Sequence, residues 1–281
     1  MAFTAGLTSG LTEPITKTLL EDYFYGKLTL EQMVAALGST LWLDATSGYP
    51  LNSIAPETPA LDTETVTRWL DRSGNDNHVN QVVITAMPTW LENQLNTTED
   101  VISFDGAGDH LEISNFAEWT ASTPFSYTLL VKLNDLSVTQ NILGRGFNGS
   151  FNGHFLYFDQ PSQKIQFKVL ADSPNAGAVA PTTTQTTGQW YFIAITYDGS
   201  SDESGMQFYL NSASPTTTAA NAWSGNFYGG GSLQFAVGAR SDGNESFNGQ
   251  LSQVKVFDKE LTADEVSLIK DYYNEKYGLS L

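Results

Sequence analysis

The ending of the chain restricts its fold more than any other stretch. Residues 247–278 read FNGQLSQVKVFDKELTADEVSLIKDYYNEKYG. From Leu251 to Phe257 apolar and polar residues alternate, the period-2 pattern of a half-buried strand. Thr262 and Glu265 have capping-box spacing, so a helix is predicted to begin there. Val266, Ile269, Tyr273 and Tyr277 then fall on one helical face, and Gly278 suits a left-handed stop. A single amphipathic helix that closes a strand-rich chain must lay its apolar stripe on a sheet.

Upstream, the clearest strand patterns cover 40–44, 101–105, 110–114, 125–133, 154–158, 163–170, 189–197, 206–210, 233–239 and 250–257. They are rich in Phe, Tyr, Ile, Val and Leu and are separated by Gly, Asn, Asp, Ser and Pro clusters. About eleven or twelve strands with almost no helix between them argue for an antiparallel sandwich. Residues 171–188 (ADSPNAGAVAPTTTQTTG) are the most loop-like, and SPTTT at 214–218 has similar composition. The first 38 residues differ. Thr12, Glu13 and Pro14 signal a helix start, Ile15, Leu19 and Tyr23 form a row, and Gly26 ends it. Thr29 and Gln32 form a second capping box, with Met33, Val34 and Leu37 apolar before Gly38. Two such short helices cannot build their own core, so they must pack on the sandwich, on a sister subunit or on a larger assembly. The predicted division is a helical anchor or assembly segment at 1–38 and a sandwich at 39–281.

Several blocks in order carry a family resemblance: LWLDATSG at 41–48, VTRWLDRSGNDNHVNQ at 66–81, VISFDGAGDHLEI at 101–113, FSYTLLVKL at 125–133, QWYFIAITYDG at 189–199 and LQFAVGAR at 233–240. With the closing strand and helix they span about residues 40 to 278. The chain resembles the laminin-G-like, concanavalin A-like jelly roll of bacterial surface and phage structural proteins. The most recognisable phrase is FDG, two residues, Asp, aromatic, Leu, here with His110 in the aromatic slot. The resemblance implies an all-β, antiparallel β-sandwich with a short N-terminal helical segment and a C-terminal helix. One fold hosts many functions, so function must come from the sites.

Composition narrows those functions. Thirteen basic against 31 acidic residues give a formal charge of −18, which repels nucleic acid and anionic membrane. There is no cysteine, hence no disulfide and no thiolate nucleophile or metal ligand. No run approaches the roughly 18 apolar residues that span a bilayer. MAFTAGLTSGLTEP at the start lacks the basic and apolar regions of a secretory signal. A jelly-roll enzyme group with the strand motif Glu-x-Asp-x-x-Glu belongs to the same resemblance, and that motif is absent. Asp198, Asp202 and Glu203 read as a solvated hairpin turn, and Glu92, Glu112 and Glu118 have no partner in the sequence pattern. His78, His110 and His154 lack metal-ligand spacing, and GRGFNG at 144–149 lacks the Lys-Ser/Thr of a phosphate loop. The expectation is a protein that is not an enzyme.

Two kinds of binding site remain. Calcium takes six to eight oxygens from turn-rich loops, and the resemblance implies one calcium at the sandwich rim. Asp71 and Asp76 with Asn75 and Asn77, Asp105 with Asp109, and Asp242 with Asn244 and Glu245 offer such oxygens, although turn-making accounts for the same residues. Sugars stack on aromatic rings and are read by amides and charges. Residues 145–154 and 221–232 supply Phe147, Phe151, Trp223, Phe227 and Tyr228 as platforms, and Arg145, Asn148, Asn152 and Asn226 as polar readers. The alternative is that these aromatics turn inward and plug the sandwich ends. Trp42, Trp69, Trp90, Trp119 and Trp190 sit in or beside strands and are predicted core. The combined reading is a phage virion surface protein, decorating capsid or tail and held to other virion proteins through residues 1–38. It would be a homo-oligomer, trimeric by analogy, presenting a weak glycan-binding surface. The alternatives are a secreted, extracellular carbohydrate-binding or adhesion module and a glycan hydrolase on the same fold.

Overall fold

The computed structural model describes residues 22–23, 26–54, 56–117, 119–146, 153–170, 176–221, 234–240 and 243–281. Among them the chain forms eighteen strands, numbered in chain order, and two α-helices, α1 (Leu30–Ala35) and α2 (Ala263–Tyr277). The first sheet runs β15 (Met206–Leu210), β14 (Trp190–Tyr197), β9 (Phe125–Leu133), β18 (Asn248–Phe257), β7 (Glu99–Asp105) and β6 (Thr89–Leu95). One edge of β18 serves two partners in succession: β7 along 248–251 and β1 (Leu41–Asp44) along 253–256. The second sheet runs β16 (Thr217–Asn221), β13 (Ala176–Pro181), β12 (Lys164–Leu170), β11 (Gly153–Asp159), β10 (Gln140–Arg145), β17 (Gln234–Val237), β8 (Leu111–Ser114), β5 (Val79–Asn80), β4 (Arg68–Trp69), β2 (Pro50–Ile54) and β3 (Glu57–Pro59). Every pairing is antiparallel, and the architecture is a two-sheet antiparallel sandwich closed by a C-terminal helix.

Alternation decides which side chains fill the sandwich. Leu129 and Val131 of β9, Ile193 and Ile195 of β14, and Val254 and Val256 of β18 meet Leu156, Phe158, Ile165, Phe167, Phe235 and Val237 across the gap. The other face of the first sheet does not meet water. Leu130, Phe192, Ala194 and Phe257 lie under Val266, Ile269, Tyr272, Tyr273 and Tyr277 of α2, with Leu30, Met33, Val34 and Leu37 from the α1 region alongside. β18 is therefore buried on both faces, not half-buried as its alternation suggests, because two helices roof its polar side. The predicted caps form: Thr29 with Gln32 and Thr262 with Glu265 make reciprocal capping boxes, and Gly278 is left-handed at φ 59°. Of the three placements open to the N-terminal segment, α1 takes the sandwich itself. Residues 1–21, which carry the earlier helix signal, lie outside the described residues.

Polar residues under that roof form a closed network around Asp44, which is 1% exposed. Its Oδ2 accepts hydrogen bonds from Arg72, from Lys276 Nζ of α2 (2.8 Å) and from Gln253 Nε2 (2.9 Å). Its Oδ1 accepts from Thr46 N and Oγ1. Arg72 also donates to Glu31 of α1 (2.7 Å) and lies over the Trp42 and Tyr49 rings. Beside it, fully buried Lys255 donates to Gln253 Oε1 and to Tyr273 OH, and its Nζ sits 4.4–4.9 Å from the centroids of Trp42, Tyr273 and Tyr272. Burial drives the Lys255 ammonium well below an ordinary lysine, against the pull of Asp44. Three aromatic faces favour whatever charge remains.

The strands missed in sequence are those with weak side-chain signals. β13 falls inside the loop-like stretch 171–188, and β16 overlaps the SPTTT segment. Their Ala and Thr residues carry little β preference alone, and the neighbouring strands of the sheet supply the pairing. Strands of two residues, such as β4 and β5, are too short for any periodicity to show.

Burial pushes the Asp44 carboxyl up, but Lys276, Thr46 and Arg72 together hold it below the ordinary value. A carboxylate depressed in the fold contributes stability above its unfolded value of about 4, and that stability fades as pH falls through the folded one. Asp44→Ala is expected to cost about 3–5 kcal/mol in denaturant unfolding at neutral pH, because two cations lose their shared partner. The variant should also lose the steepest part of the wild-type acid transition below about pH 4.

Candidate functional site

The proposed aromatic platform and its readers, Phe147, Asn148, Phe151, Asn152, Trp223, Asn226, Phe227 and Tyr228, lie outside the described residues. The described strand ends that flank them share one end of the second sheet, where Arg145 pairs with His154 and Phe235, and Gly153 pairs with Leu170. Arg145 is not a surface reader. It is fully buried, as is His154 opposite it. The His154 ring stacks on Trp119 and Phe125, and its Nε2 lies 2.6 Å from Tyr127 OH. Burial first, then the Arg145 charge, push its imidazole down to about 3, so it is neutral. Trp42, Trp69, Trp90 and Trp119 are core as expected, whereas Trp190 is only partly buried and lies beneath Lys132.

A groove of about 420 Å³ opens on the outer face of the second sheet, over β10, β11 and β12. Its location follows from the pleat. His154, Leu156 and Phe158 of β11 point into the sandwich, which turns Phe155, Tyr157 and Asp159 outward. Lys168 and Leu170 of β12 point the same way, and Arg240 and Glu245 reach in from the β17–β18 connection. Register brings Asn141, Tyr157 and Gln166 into one row, and Phe155 next to Lys168. A Cβ on Gly144 would sit 2.5 Å from His154 O and 2.8 Å from the Phe155 ring, so only glycine lets that ring lie across β10.

The polar end of the groove is held by its own hydrogen bonds. Tyr157 OH donates to Gln166 Oε1 (3.0 Å), while Gln166 Nε2 donates to Asp159 Oδ2 (3.2 Å) and Ser162 Oγ (2.9 Å). Asn141 Nδ2 donates to Glu245 Oε2 (2.6 Å), and Arg240 pairs with Glu245 Oε1 at 3.2 Å. Burial, followed by the Asp159 and Glu245 charges, pushes the Tyr157 phenol well up, so it keeps its proton. A partly exposed phenol ring beside a fixed amide can stack on a sugar face and read its hydroxyls. A second hollow of about 210 Å³, lined by Asn80, Gln81, Val82, Glu112, Ile113, Ser114 and Gln234, has no aromatic ring to offer. Sequence reasoning missed the first groove, because Asn141, Tyr157 and Glu245 meet only through strand register and one long connection. The outward alternation of Phe155 and Tyr157 in the β11 pattern was the available signal.

The candidate calcium ligands do not converge. Asp71 Oδ1 accepts from the backbone N–H groups of Trp42 and Ser73, and Oδ2 accepts from Asn77 N and Ser73 Oγ. Asp76 is an exposed residue at φ 58°, a turn position, with His78 Nε2 3.8 Å away. Asp105 Oδ1 accepts from Ala107 N, and Asp109 Oδ2 accepts from Asp105 N, closing the turn by which the chain crosses from β7 in one sheet to β8 in the other. Asn244 closes a turn by accepting from Arg240 N, and Asp242 lies outside the described residues. Among the described residues no three acidic or imidazole groups gather where a cation would sit. The Asp71, Asp105 and Asp109 carboxylates serve backbone donors, as turn chemistry requires.

Burial is the main reason the Asp109 carboxyl rises to about 6, with Asp105 adding to it. The folded state therefore binds a proton that the unfolded chain has released between about pH 4 and 6, so stability falls as pH rises through that window. Asp109→Asn keeps an acceptor for Asp105 N and removes the titration. Stability should then vary less across the window and be about 1–2 kcal/mol higher at pH 7, after allowance for solvent screening at the β7–β8 turn.

With this geometry in view, comparisons with known proteins become informative. A family model for laminin-G-like domains of the concanavalin A-like lectin/glucanases superfamily matches residues 105–267. No curated protein sequence shows significant similarity to the chain. Among solved structures, the botulinum neurotoxin serotype D binding domain superposes with a TM-score of 0.55 at 13% identity, covering 84% of this chain and 51% of that one. The serotype D ligand-binding domain in complex with N-acetylneuraminic acid gives 0.55 at 12% identity, over 85% and 52%. The chain thus spans about half the length of these neurotoxin structures. A Trypanosoma rangeli sialidase aligns with a TM-score of 0.48 at 16% identity, over 83% and 32%, too loosely to support an argument. At such identities the likeness is one of fold.

Proposed function

Because the chain belongs to the concanavalin A-like lectin/glucanase superfamily, we propose that it is a non-catalytic glycan-binding protein whose sugar site is the groove over β10, β11 and β12. One observation carries this reading: the groove sets the partly exposed Tyr157 ring beside the fixed amide of Asn141 on a pleated floor to which Phe155 adds an apolar wall. Ring face plus amide is the pairing that a pyranose needs. Two carboxylates, Asp159 and Glu245, share the groove. Each accepts two donors, from Ser162 N and Gln166 for Asp159, and from Asn141 and Arg240 for Glu245. Carboxylates held this way orient their neighbours, and that supports binding over hydrolysis.

Display on a virion surface is part of the proposal and rests on the sequence resemblance. The apolar face of α1 is already engaged by the sandwich, so attachment to other virion proteins would fall to residues 1–21. Removing those residues is expected to abolish co-sedimentation with particles. A truncated chain that still sediments with particles removes the anchor from the proposal.

The sugar site is tested on a glycan array with the full chain. Tyr157→Ala and Asn141→Ala are expected to weaken binding of any retained glycan about tenfold, the equivalent of one ring or one hydrogen-bond contact. Oligosaccharides incubated with the protein should keep their length. Shortened products lost in Glu245→Gln would instead establish a hydrolase.

A further inference from the structure

The groove is divided in its chemistry. At one end the charges and amides answer one another: Arg240 with Glu245, Glu245 with Asn141, and Asp159 with Gln166. At the other end stands Lys168, with Phe155 as its cross-strand partner and Leu170 two residues along the same face. Among the described residues Lys168 has neither an ion-pair partner nor a hydrogen-bond acceptor. Lys132 and Lys164 likewise show neither an ion pair nor a hydrogen-bond acceptor, but neither lines the groove. Most described cations are engaged: Lys27 with Asp22, Arg68 with Glu57, Arg72 and Lys276 with Asp44, and Lys259 with Glu265. Lys168 is partly buried in the groove wall, and an anion that enters there meets its charge at less than the screening distance of physiological salt.

We infer that the site prefers acidic sugars, with Lys168 meeting a carboxylate beside the apolar wall that Phe155 and Leu170 give the groove. This rests on the glycan-binding reading above and adds the class of ligand. It also reconciles an acidic protein with an anionic ligand. The net charge repels polyanions at long range, so recognition would be of a single charged residue at close contact rather than of charge density.

Matched probes test this with the full chain by calorimetry: 3′-sialyllactose against lactose, and oligogalacturonate against its methyl ester. The acidic member of at least one pair is expected to bind about tenfold more tightly, as a charge-assisted hydrogen bond supplies. Its advantage should shrink as salt is raised from about 0.05 to 0.5 M. Lys168→Gln should erase the preference without weakening the neutral member, Lys168→Arg should keep it, and Tyr157→Ala should weaken both members alike. Equal binding of acidic and neutral members, or a preference that survives Lys168→Gln, overturns the acidic selectivity and leaves the glycan site standing. Failure of every probe to bind the wild-type chain, together with a blank array, overturns both.

Discussion

The docking of α2 and α1 on the outer face of the first sheet depends on Asp44. Five polar side chains from β1, β18, α1, α2 and the segment after β4 meet around a buried carboxylate, which takes three of their donors. Remove it, and Arg72, Lys276 and Gln253 are left facing one another under a roof of tyrosines. An apolar stripe alone would let a short helix slide along a sheet, since hydrophobic burial has no direction. Hydrogen bonds with fixed partners give that docking a register. The rest follows: with α2 seated, both faces of β18 are dry, and the sheet that backs the sandwich is rigid enough to hold the second sheet in place.

The candidate site is on the opposite surface of the molecule, and its character comes from the pleat. Each residue of β11 that fills the sandwich orients its neighbour outward, so Leu156 and Phe158 in the core set Tyr157 in the groove. Side chains positioned by a sheet vary little in distance, which suits recognition of a rigid ring. Gly144 is part of the same construction, because any side chain there would lift Phe155 away from β10.

Much of the fold was legible in sequence. β9 and β15 match their predicted spans residue for residue, and the Thr262–Glu265 box and Gly278 bound α2 as expected. These are local signals, carried by periodicity and caps. Three things were not legible, each for a physical reason. The Ala- and Thr-rich strands β13 and β16 exist through their neighbours. The polar half of β18 is buried because the helix that follows it and the distant α1 fold back over that face, so Lys255 and Gln253 looked like surface residues. The groove unites Asn141, Tyr157 and Glu245, and nothing in residue spacing tells which strands will be neighbours. Asp71 and Asp105 show why such loops are ambiguous in sequence, since a carboxylate that ties up backbone donors in a turn has the composition of a cation ligand.

The placement of β18 has a consequence for how the protein is made. It lies between β9 on one edge and β7 and β1 on the other, yet it is made after all three. Until residue 257 has left the ribosome, β9 and β7 each present an open edge, and β1 has no partner in its sheet. The first sheet therefore cannot close until β18 arrives, and its closure depends on contacts of large sequence separation, which are slow to form and open to wrong pairings.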